Sequence, residues 1–129
     1  MENELLTHFD ALLVQRGYRS RSEAIRDLVR QELVKDEWSD PEAEVVGTLT
    51  IVYEHHEHEL SNVLAELQHQ YHSLILCSTH IHLDEHNCLE VVILRGKSAR
   101  VKHIASALIS TRGVKHGQLV STTTGKAVT

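Results

Sequence analysis

The chain has 129 residues, 41% of them hydrophobic, and a net charge of −5 with histidine neutral. That length supports one modest domain or two very small ones. No apolar run approaches a membrane span and no secretory signal opens the chain, and the charge gives no overall positive field to attract nucleic acid. The expected compartment is therefore the cytoplasm, with no membrane partner.

Leu5, Phe9, Leu12 and Leu13 recur at helical spacing, and Gly17 follows as a stop. A second helix is expected at once, because Ser20 and Glu23 form a capping box and Ile25, Leu28, Val29 and Leu33 give an apolar stripe. Arg16, Arg19, Arg21, Arg26 and Arg30 crowd this region, so any attraction to nucleic acid is local. Two helices alone bury too little surface to offset chain entropy, which predicts folding against a partner.

The stretch from Asp36 to Glu42 is acidic, contains the only proline and reads as a linker. Beyond it, strands over 45–54, 73–82, 88–95 and 114–121 alternate with helices over 57–71 and 98–111. This is the α+β order βαββαβ of ferredoxin-like domains. The expected boundaries are 1–36 for the helical pair, 37–44 for the linker, 45–122 for the ferredoxin-like domain and 123–129 for a polar, frayed tail.

The densest chemistry lies at His80-x-His82 and Cys88, with His69 upstream. If the strand ending at His82 turns back through Asp84 and Glu85, His82 falls opposite Cys88 and His80 opposite Glu90. All four side chains then share one face. Directly opposed side chains lie roughly 4.5–5.5 Å apart at Cβ, so two imidazoles and a thiolate can converge on one transition-metal ion. That set is one ligand short of a closed site. Cys77 is expected on the opposite face, too far from Cys88 for a disulfide and buried as a small apolar residue.

His55, His56 and His58 invite comparison with zinc proteases, but the second histidine of that motif would have to stand where Leu60 does. His56 and His58 therefore read as surface histidines. His72 and His86 lie close in sequence to the ligand candidates, but His72 falls three residues past His69 near the helix end and His86 sits in the hairpin loop, so neither is expected among the main ligands.

Arg16-Gly17-Tyr18, Arg21 to Asp27, Tyr53-Glu54-His55, His80-Ile81-His82 to Cys88-Leu89-Glu90, and Arg112 to Gly117 occur in this order. Together they resemble the nickel-responsive transcriptional regulators (NikR), which join a ribbon-helix-helix domain to a ferredoxin-like metal-sensing domain of the ACT type. The resemblance implies a homotetramer, a dimer of dimers built on the sensing domains. It also implies a Ni(2+) site formed by His80, His82 and Cys88 of one subunit and His69 of a neighbour. Three nitrogens and a thiolate in a plane suit Ni(II) or Cu(II) better than Zn(II).

Glu90 is expected to orient an imidazole, Tyr53 and His55 to support the site or hold a secondary metal, and Glu23 and Asp27 to help hold a potassium-like cation, K(+), between the domains. In ribbon-helix-helix proteins a short strand ahead of the first helix reads the major groove. Here Met1 to Leu6 leads directly into that helix, so the strand is expected to be missing. Only phosphate contacts by Arg19, Ser20, Arg21 and Ser22 are carried over.

The implied function is a repressor of nickel-uptake genes that binds operator DNA. The alternative is a metal-binding module or buffer without sequence-specific DNA binding. An enzyme is not expected, because four protein ligands leave no open position for a catalytic water.

Overall fold

The computed structural model describes residues 2–54, 56 and 58–129, with the backbone alone at His58 and Glu59. The chain forms two compact units, Met1–Leu33 and Val34–Thr129.

The first unit contains helix α1 (Asn3–Arg16) and the beginning of helix α2 (Arg21–Ser39). Gly17 ends α1 in the left-handed conformation, φ 78°, and Tyr18 N–H then closes on the Leu13 carbonyl at 2.9 Å. A side chain at Gly17 would make that turn strained. Ser20 Oγ accepts the Glu23 N–H at 3.2 Å, while the Glu23 carboxylate accepts the Arg19 N–H at 3.3 Å. This is a capping box displaced by one residue on its return arm. Leu13 and Ala24 are buried, whereas Leu5, Leu12, Val14, Ile25, Leu28, Val29 and Leu33 are exposed. The apolar stripe read from the sequence is therefore uncovered within the single chain.

The second unit continues with strand β1 (Glu44–Glu54), helix α3 (His58–Gln70), strand β2 (Ile75–His82), strand β3 (Asn87–Lys97), helix α4 (Ser98–Ile109) and strand β4 (Val114–Thr122). The four strands form one antiparallel sheet in the order β2-β3-β1-β4. This is the ferredoxin-like α+β arrangement that the sequence predicts. Along β1 and β3 burial alternates residue by residue, as the period of two demands.

Val45, Leu49, Ile51, Val92 and Leu94 from the sheet meet Leu60 and Leu64 of α3 and Val101, Ile104 and Leu108 of α4 in one core. Each large side chain buried there contributes on the order of 1.5–3 kcal/mol before chain entropy is subtracted. On the opposite face, Cys77, Thr79 and Ile81 of β2 are exposed and the even-numbered β1 residues from Val46 on are only half-buried, whereas the register shift turns Ile75 to the core side, opposite Leu94.

Three expectations are corrected. The segment read as a linker is helical as far as Ser39, and Trp38 within it is buried. The Trp38 indole donates to the Thr122 carbonyl at 2.8 Å, Lys102 Nζ donates to the Trp38 carbonyl at 2.7 Å, and Ser98 N–H donates to the Ala43 carbonyl at 2.9 Å. Acidity and a proline mark a solvated surface there, but the indole supplies the apolar body and polar handle that anchor it. The tail is tied at its start, where Thr123 Oγ1 donates to Glu37 at 3.1 Å. Cys77 does face away from Cys88, but it is exposed, because β2 is an edge strand and that face is uncovered. A register shift between Ile75 and Cys77 leaves Leu76 without a partner in the ladder.

Candidate metal centre

The hairpin of β2 and β3 builds the site. Asp84 closes its loop: Oδ1 accepts the main-chain N–H of His86 at 2.8 Å and of Asn87 at 2.7 Å, and both carboxylate oxygens accept from the Asn87 side-chain amide. Those bonds, the Asn87 amide first, hold the Asp84 carboxyl at a pKa of about 2. The turn sets the register, with His82 opposite Cys88 and His80 opposite Glu90. Both pairs lie on the helix-covered face, because Cys88 and Glu90 are the buried members of the alternation along β3.

The ligand atoms of His80, His82 and Cys88 all lie within 4.8 Å of one another. Cys88 Sγ is 3.5 Å from His82 Nδ1, and the two imidazole centroids are 5.0 Å apart. Donors about 2.0–2.3 Å from a shared ion sit roughly 3.0–3.5 Å from each other, so small side-chain rotations bring these three to coordinating distance. The donor set, two borderline nitrogens and one soft sulfur, fits nickel and its first-row neighbours. Cys88 is buried while both histidines are exposed, so the thiol forms the floor of the site and the imidazoles its open rim. Burial first, then the charges of Asp84, Glu54 and Glu90, push the Cys88 thiol above its ordinary pKa.

Tyr53 sits on β1 directly opposite Cys88, buried, with its ring centroid 5.9 Å from that of His80. Burial, followed by the charges of Glu90 and Cys88, raises its hydroxyl to about 12, so it stays neutral and braces the imidazole by packing. The buried Glu90 carboxylate accepts from the Gln68 amide at 2.6 Å. Gln68 was missed in the sequence. Its signal is the helical spacing Leu60, Leu64, Gln68, which puts an amide on the core-facing stripe of α3 one residue before His69.

His69 is exposed near the end of α3 and is not among the three converging ligands of its own chain. Its main-chain carbonyl lies 3.0 Å from His72 Nδ1, and the two rings stack with centroids 6.1 Å apart. His55 lies outside the described residues.

In the first unit Asp27 accepts from the Tyr18 hydroxyl at 2.5 Å and sits 3.7 Å from Arg30, while Glu23 serves the capping box. Arg21, expected at phosphate, grips Asp10 through two bonds of 2.9 and 2.8 Å. Ser20 caps α2, while Arg19 and Ser22 are exposed beside it.

Residues 46–122 match the family described as the NikR C-terminal nickel-binding domain. The chain belongs to the NikR family. NikR relatives whose assigned name, given by inference, is nickel-responsive regulator extend the likeness beyond that domain. One from Nitratidesulfovibrio vulgaris (strain Miyazaki F) is 54% identical over 129 residues, covering 100% of this chain and 93% of that protein. Another from Solibacter usitatus is 54% identical across 97% of this chain and 90% of its own length, and one from Thermococcus onnurineus is 55% identical across 96% and 90%. NikR is a family of regulators, not enzymes.

Among solved structures, an uncharacterized protein from Thermotoga maritima superposes with a TM-score of 0.54 at 22% identity, covering 60% of this chain and 96% of that one. That likeness concerns the fold alone. Among the described residues, no helix is long and apolar enough to cross a membrane.

Proposed function

We propose that this chain is a nickel-sensing transcriptional regulator, in which Ni(II) bound between subunits of a homotetramer controls binding to operator DNA and so represses nickel uptake. The observation that carries the reading is the convergence of His80, His82 and Cys88 on one hairpin face, supported by the family and by the assigned names of its relatives. When bound, nickel supplies a crosslink among these donors. His69 is exposed and is not among the donors that converge in its own chain, so it is available as fourth ligand to a neighbouring subunit. Glu90, held by Gln68, and Tyr53 form the wall behind the imidazoles.

The exposed apolar stripe of the first unit fits a second copy of itself, and the arginines that flank it offer phosphate contacts. Glu23 and Asp27 remain the carboxylates for a weakly held potassium ion.

Mixing two defective chains tests the subunit assignment. His69→Ala keeps the three hairpin donors, and Cys88→Ala keeps His69. Neither alone should give strong thiolate-to-nickel absorption, while re-assembled mixed oligomers should regain about a quarter of it by random pairing. A His69→Ala chain that binds nickel as tightly as the parent overturns the shared site. Nickel-dependent retardation of an operator fragment, lost in Cys88→Ala, tests the regulatory step. No retardation, or salt-sensitive retardation with no preference for the operator, would leave a metal-binding module, and equal retardation of the operator with and without nickel would overturn the nickel dependence.

A further inference from the structure

One other group of ligand-type side chains converges among the described residues: Glu54, His56 and His86, whose ligand atoms all lie within 4.8 Å of one another. Glu54 ends β1 and pairs with Asn87, His56 lies in the turn just beyond, and His86 stands in the hairpin loop immediately before Asn87. Glu54 Oε1 is 3.9 Å from His86 Nδ1, and the His56 and His86 rings meet edge to face with centroids 5.3 Å apart.

The arrangement is held from behind. Lys115 Nζ lies 3.6 Å from the other Glu54 oxygen, Oε2, and donates to Asn87 Oδ1 at 2.6 Å, while Asn87 is tied to Asp84. Lys115 thus orients the carboxylate, leaving Oε1 turned to the imidazoles. The same Asp84 turn that sets the primary register fixes the backbone of His86.

We propose that Glu54, His56 and His86 form a second site, for a first-row divalent transition-metal ion, separate from His80, His82 and Cys88. Donors about 2.0–2.2 Å from one ion lie roughly 3.0–3.5 Å apart, so the observed spacing closes by side-chain rotation without backbone movement. Two imidazoles and one carboxylate accept nickel, cobalt, copper or zinc and lack the soft sulfur of the first site. Both histidines are exposed, so water completes the coordination, and Lys115 already occupies one side of Glu54. Both features make this the weaker site. Its loop is the one that joins His82 to Cys88, so an ion here stiffens the support of the first centre, and by linkage each ion favours the other. None of this depends on the regulatory reading.

Equilibrium dialysis of the full chain against excess Ni(II), with metal analysis, tests the site. The parent should take up about two ions per chain, the first with thiolate-to-nickel absorption and the second without it. A chain with His56→Gln and His86→Gln should lose the second ion and keep the absorption, which also certifies its fold. Cys88→Ser should keep the second ion and lose the absorption. If the double variant still takes up both ions, other surface histidines hold the second one and the proposal is overturned. A parent that binds only one ion at millimolar free nickel overturns it too. Absorption that survives in Cys88→Ser would instead count against the first site.

Discussion

Nickel binding should expel a proton from Cys88. The thiol is buried against the sheet, and Asp84, Glu54 and Glu90 add negative charge around it, so its pKa lies above the usual thiol range. An ordinary thiol with a pKa of about 8.5 is only ~3% thiolate at pH 7, and Cys88 must be less. Metal ligation requires the thiolate, so affinity should rise about tenfold for each pH unit below the thiol pKa, about 1.4 kcal/mol per unit. The sign follows from the protonated form being the one that cannot bind: acid weakens binding, and base strengthens it until the thiol has titrated.

Calorimetric titration with Ni(II) at pH 8 in buffers of different ionisation enthalpy reads the proton directly, as a slope of about one proton per ion. Cys88→Ser should bind more weakly and lose that proton. Equal nickel affinity at pH 7 and pH 8 in the parent, with no proton released, would refute the reasoning, because Cys88 would then be either already ionised or not a ligand.

Three further perturbations probe the scaffold. Gln68→Leu strips the buried Glu90 carboxylate of its amide donor and should cost about 1–3 kcal/mol in urea unfolding, with further loss of nickel affinity as the wall behind the imidazoles loosens. Leu49→Ala opens a cavity at a fully buried position and should cost about 2–5 kcal/mol, seen as a lower urea midpoint at unchanged slope. Asp84→Ala removes a carboxylate whose folded-state pKa is depressed to about 2. Its contribution is present above the ordinary carboxylate value and lost as pH falls through about 2. The stability gap between variant and parent should therefore shrink over that acid range, and nickel binding should weaken at neutral pH.

The hairpin register was legible because the spacing of His80, His82 and Cys88 around an Asp-containing turn allows few pairings that put all three on one face. The element order followed from periodicity, since long β-branched runs alternate with helical stripes. Trp38 was misread because composition averages over a window, and one indole reversed what its acidic neighbours indicated. Cys77 was misread because alternation tells which face a residue takes but not whether anything covers that face. The grouping of Glu54, His56 and His86 was hidden for a different reason. It depends on β1 and β3 pairing Glu54 with Asn87, a contact between distant stretches that no local pattern encodes.

The sheet order has a consequence for how occupancy is expressed. Two of the three hairpin donors stand on β2, the outermost strand, and the third on β3, the strand inside it. Among the described strands β2 pairs along one side only, so its amides are the natural place for fraying and for hydrogen exchange with solvent. A ligand bridging His80 and His82 to Cys88 fastens that rim strand to the interior at its turn end. On the proposed reading, the metal signal would be a change in order at the margin of the sheet, carried by its outermost strand.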